Sequence, residues 1–93
     1  MTPEELIVIG CEDIHWNENW NGGFHEYFLP LEGNGRGLRD SRLSVSFGDL
    51  LPRYKFMAWI VLPQARYGLK HVKTINQFEK MYHLLSGKHL AHP

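Results

Sequence analysis

The segment Leu31–Asp40, LEGNGRGLRD, sets three glycines at alternate positions beside Arg36 and Arg39, with Arg42 just beyond. Alternate glycines let successive backbone N–H groups turn inward as an anion-binding nest, to which arginines add charge. A nucleotide-binding phosphate loop, however, follows a parallel strand, delivers its anion to a helix N-terminus and, in the P-loop form, ends in Gly-Lys-Ser/Thr. None of these accompanies the segment, which lacks lysine and runs into an alternating strand pattern. It reads as a flexible hairpin connection between residues 31 and 42 that carries arginines, with an anion site ordered by a ligand as the alternative, so that any function it has is expected only when a partner orders it.

A second candidate is His15–Tyr27, HWNENWNGGFHEY, where Trp16 and Trp20 stand among asparagines and glycines close to Phe24 and Tyr27. Rigid rings in such a setting supply contact area at binding surfaces. Equally, both tryptophans could fold back onto a sheet as a satellite core, and the sequence leaves the two readings open. With Arg36, Arg39 and Arg42 the same rings could stack a base while the guanidinium groups meet phosphate. Ten basic and ten acidic residues cancel, so this arrangement suits one small nucleotide and makes bulk nucleic acid an unlikely partner.

Catalytic signatures are absent from the sequence. His15, Glu18, His25 and Glu26 have the donor types of a metal site, yet their spacing matches no established motif, and neighbours such as His25 and Glu26 on a strand face opposite ways. The sequence has no HExxH and no cysteine pair, so neither a metal nor another cofactor is expected. Cys11 has no base at a defined spacing and reads as a small buried apolar residue. Ser41, Ser44, Ser46 and Ser86 lack a nucleophile elbow. Of the remaining histidines, His83 falls on the polar face of the last helix, and Lys88 and His89 favour that helix's C-terminal dipole. The chain is read as a non-enzyme.

The elements that would position these residues follow from patterning. Thr2 before Pro3, Glu4 and Glu5 is a helix start, and Gly10 a stop, predicting a short helix over 3–9. Residues 12–23 have the composition of a loop or irregular hairpin arm. Phe24 to Leu31 reads as a strand with Phe24, Glu26, Phe28 and Pro30 on one face and His25, Tyr27, Leu29 and Leu31 on the other; Pro30 marks a strand end or an edge. Arg42–Phe47 alternates cleanly, with Leu43, Val45 and Phe47 toward a core and Arg42, Ser44 and Ser46 toward water. Gly48–Arg53 is a turn, and Tyr54–Leu62 is a more continuously apolar, central strand in which Trp59 packs into the core. Pro63–Gly68 connects to a short edge strand over 69–73. Thr74 and Gln77 have capping-box spacing, Gly87 is a terminator, and Ile75, Phe78, Met81, Tyr82 and Leu85 share one helical face.

This pattern is α+β: a short N-terminal helix, an antiparallel sheet of three to four strands, and a C-terminal helix packed on one face. The 93 residues, 43% apolar and 13% aromatic, fit one small domain over 1–93 with a modest core. A lone cysteine and the absence of a leader point to a reducing cytoplasmic setting. The apolar run Phe56–Leu62 is far shorter than the ~20 residues of a membrane helix.

Both termini resemble a family. Thr2–Glu12, TPEELIVIGCE, is similar to the Thr-Glu-Glu-Trp-Leu-Leu-x-x-Gly-Phe-Glu opening of small hypothetical proteins of Bacteroidetes phages and mobile elements. Val72–Leu90, VKTINQFEKMYHLLSGKHL, resembles their Val-His-Gln-Leu-Gln-x-Leu-Tyr-x-x-Leu-Thr-Gly-x-x-Leu ending. Thr2, Glu4, Glu5, Gly10 and Glu12 match at one end, and Gln77, Tyr82, Leu85, Gly87 and Leu90 at the other; Pro3 has no counterpart. The two stretches span about a third of the chain, and they carry packing and capping residues only. The resemblance implies a phage-like origin, in a host cytosol if phage-encoded, and no activity; the residues themselves add the expectation of an accessory protein that binds a host or phage protein through a surface made of Trp16, Trp20, Arg36, Arg39 and Arg42. The alternative is a protein that binds or sequesters a small molecule or nucleotide. An edge strand or the C-terminal helix offers a route to a homodimer.

Overall fold

The computed structural model describes residues 1–16, 23–31, 40–52, 55–88 and 90. Helix α1 (Pro3–Val8) opens on a capping box: the Glu5 amide donates to Thr2 Oγ1 (3.2 Å) and the Thr2 amide to Glu5 Oε1 (2.9 Å). This reciprocal cap satisfies two N-terminal donors that the helix cannot satisfy itself. Leu6 and Ile9 are buried, whereas the β-branched Ile7 and Val8 face out, so capping and one apolar edge decide for helix over strand.

Among the described residues five strands follow: β1 (Glu12–Trp16), β2 (Phe24–Pro30), β3 (Arg42–Gly48), β4 (Phe56–Val61) and β5 (Arg66–Gly68). They form an antiparallel sheet in sequence order, with β1 and β5 at the edges. Helix α2 (Ile75–Ser86) completes the α+β arrangement. The β2–β3 connection is a hairpin, closed by the Leu31 amide donating to the Ser41 carbonyl (2.9 Å); residues 32–39 lie outside the described ones.

Several expectations change here. The sheet has five strands, not three or four. Of the two readings of residues 12–23, loop or hairpin arm, residues 12–16 take the second: they form a strand paired antiparallel with β2, largely open to water, since an exposed edge strand needs no apolar alternation. The last strand is Arg66–Gly68, not 69–73. A tight turn, with the Leu62 amide donating to the Ala65 carbonyl (2.7 Å), returns the chain at once, and Val72 is instead drawn into the core. The strand β4 is interior, while β3 is central.

Cross-strand register assigns the two faces, since paired residues share a face. His15 pairs with His25, Tyr27 with Val45, and Val45 with Ala58. This face meets both helices in one buried cluster that includes Leu6, Tyr27, Leu43, Val45, Phe78 and Tyr82. The other face carries Trp16, Phe24, Glu26, Phe28, Arg42, Ser44, Met57 and Trp59, none of which joins that cluster.

Helix α2 has the same cap logic as α1. The Gln77 amide donates to Thr74 Oγ1 (3.2 Å), and Gln77 Oε1 accepts from the amides of Lys73 (2.8 Å) and Thr74 (3.1 Å). Gly87 ends the helix at φ +74°, in the left-handed region that glycine enters without a side-chain penalty. Thr74→Ala is expected to lower stability by about 1 kcal/mol, read as an earlier midpoint in urea at unchanged slope.

Candidate functional site

The second sheet face is built around a carboxylate. Glu26 lies on β2 between Phe24 and Phe28, and only 4% of it reaches solvent. From β3, Arg42 meets both its oxygens: Nε donates to Oε2 and Nη2 to Oε1 (3.2 Å). From β1, Trp16 Nε1–H donates to Oε1 (3.1 Å). A two-point guanidinium fork is among the strongest carboxylate contacts, and here it joins three adjacent strands. Burial pushes the Glu26 carboxyl up, but hydrogen bonds from Arg42, Ser44 and Trp16, with the charge of Arg42, outweigh it and hold the group below the usual range.

Thus Trp16 and Arg42, 26 positions apart in the chain (42 − 16), come together on one acid. Arg42 also lies over the Phe28 ring, 5.6 Å from its centroid, so its charge is neutralised and its plane occupied. Ser44, expected to face water, is buried beside this pair. Trp20, Arg36 and Arg39 lie outside the described residues.

Beyond the ion pair the face is apolar and aromatic. Trp16 stacks on Phe24 (centroids 6.3 Å apart) and remains 40% exposed. Trp59, expected in the core, stands on this face with the Arg66 guanidinium 5.3 Å above its ring. The register forces that outcome: Ala58 pairs with core Val45, so its neighbour Trp59 must point the other way. Phe24, Leu51, Met57 and Trp59 line a shallow cavity of about 530 Å³, edged by Lys55 and Arg66. Sequence reading missed the central role of Glu26, although a carboxylate alternating with two phenylalanines on a strand signals a buried, paired charge.

Nucleophilic chemistry finds no support at Cys11. Its thiol is buried and burial pushes it up to about 12, the condition of an inert packing residue. Among the described residues no helix is long and apolar enough to cross a membrane.

The fold and face thus define an α+β chain with one sheet face closed by helices and the other left to aromatic side chains and a buried ion pair. Comparison of the chain with protein-family models, curated proteins and solved structures finds no match.

Proposed function

We propose that this chain is a non-enzymatic interaction module that binds a protein partner on the face centred on Glu26, through an apolar anchor residue flanked by acidic ones. The observation that carries the reading is the cavity between Phe24, Leu51, Met57 and Trp59 with Lys55 and Arg66 at its rim. Leu51 is 54% exposed and Leu50, beside it, 79%, so apolar surface continues past the cavity onto the turn. Contiguous apolar patches with polar rims are typical of protein contacts, and aromatic and arginine residues dominate their energetics. The Glu26 pair fixes the sheet beneath the patch and leaves Arg66 and Lys55 to select an acidic partner. Resemblance of the termini to small phage and mobile-element proteins fits an accessory chain whose partner is a host or phage protein acting in the host cytosol.

Selection of a displayed peptide library on the intact chain is expected to enrich a bulky apolar residue next to Asp or Glu. Trp59→Ala and Arg66→Glu should each weaken the selected peptides about tenfold or more, equal to ~1.4 kcal/mol. A selection without that consensus, or affinities indifferent to both substitutions, overturns the proposal. The stacked Arg66–Trp59 pair favours one further reading, a nucleotide with its base on the rings and its phosphate at the rim. A nucleotide-induced rise in melting temperature that Arg66→Ala abolishes would select it.

A further inference from the structure

A separate cluster sits at the end of the helix-covered face, where β1, β2 and the turn after β3 meet. His15 and His25 are directly opposed across β1 and β2. Asp49 follows β3, and its amide donates to the Gly23 carbonyl (3.1 Å), which pins that turn to the start of β2. Its carboxylate reaches both imidazoles: Oδ2 lies 2.7 Å from His15 Nε2 and Oδ1 3.7 Å from His25 Nε2. One donor atom from each of the three residues lies within 4.8 Å of the others.

The outer contact gives this cluster its direction. His25 Nδ1 lies 3.2 Å from Asp13 Oδ1, and a carboxylate can only accept, so Nδ1 carries the proton. In neutral His25 the Nε2 lone pair then faces the Asp49 carboxylate, an acceptor opposite an acceptor. A second proton on the ring or a metal cation between the two groups removes the conflict. Metal-bound histidines are held in this way, with the far ring nitrogen donating to a carboxylate that fixes tautomer and orientation.

We infer that His15 Nε2, His25 Nε2 and the Asp49 carboxylate bind a zinc-class divalent ion, with Asp13 orienting His25. Two neutral imidazoles and a carboxylate suit zinc and its neighbours rather than magnesium or calcium. Ligand bonds of about 2.0–2.1 Å place tetrahedral donors about 3.3 Å apart, between the two Asp49 distances. The rings now stack in parallel, 4.1 Å apart with 6° between planes, and one ion cannot lie in both planes. Binding therefore tilts them apart, which their exposure of 42% and 37% allows. His15 passes its Nε2 proton to Nδ1. Asp13 and Asp49 balance the charge of the ion, whose fourth position opens to water. The sequence grouped His15 and His25 with Glu18 and Glu26 by donor type alone and led to no metal being expected; Asp49 comes alongside the two histidines only in the fold.

Titration calorimetry of the intact chain with zinc is expected to show one high-affinity site, and magnesium none. His15→Ala and Asp49→Ala should weaken zinc at least 100-fold, and Asp13→Asn about 10–100-fold. Imidazole NMR signals of His15 and His25 should shift together on zinc addition while those of His71 and His83 stay in place. The absence of zinc binding, or wild-type affinity in both His15→Ala and His25→Ala with the fold retained by circular dichroism, overturns the assignment.

Discussion

Phe78→Ala is expected to destabilise the chain by about 3–5 kcal/mol, the cost of lost transfer energy plus a cavity that the surroundings fill only in part. Phe78 is fully enclosed and lies on the buried side of α2, one turn from Tyr82. It belongs to the one buried cluster that also holds the sheet residues Val45 and Leu43. A chain of 93 residues has a total stability on the order of 5–14 kcal/mol, so this one side chain accounts for a large fraction. Thermal unfolding by circular dichroism should fall by roughly 15–30 °C. Leu84→Ala, on the same helix but 66% exposed, should stay within about 0.5 kcal/mol of wild type. Equal effects from the two substitutions would mean that α2 does not close the core.

The contrast shows why this helix was legible from sequence alone. Its cap, terminator and apolar face are local, and Thr74, Gly87 and Phe78 each have a reason that holds without the rest of the chain. The strands β2 and β3 were legible because one face is buried, so period-two alternation fixes which residues point inward. What escaped were features that depend on neighbours. The edge strand β1 is specified by pairing with β2 rather than by its own apolarity. Trp59 reads as core by type, but the register of Ala58 against Val45 turns it to the other face. The Glu26 centre and the Asp49 cluster require three separate segments to meet, and no spacing in the chain encodes that meeting.

Arg42→Ala is expected to cost about 2–3 kcal/mol, because it leaves the enclosed Glu26 carboxylate without its fork. Removing one partner of a fully buried pair costs ~3–5 kcal/mol; water reaches 33% of the Arg42 side chain, which lowers the figure. The double replacement Glu26→Leu with Arg42→Met removes the charge along with its partner and should recover most of the loss. Acid tests the same pair independently. In the wild type the folded Glu26 sits below its unfolded value of about 4.3, so its stabilisation is present above that pH and is lost as pH falls through the folded value. Without Arg42 both its hydrogen bond and its charge cease to oppose burial, so the folded value rises; the variant loses most at neutral pH, where Glu26 is ionised, and less as Glu26 takes a proton. The stability gap between wild type and Arg42→Ala should therefore narrow as pH falls and Glu26 takes a proton, leaving only the lost packing on Phe28, measured by urea unfolding across pH. A gap independent of pH would show that Arg42 acts through its packing on Phe28 rather than through its charge.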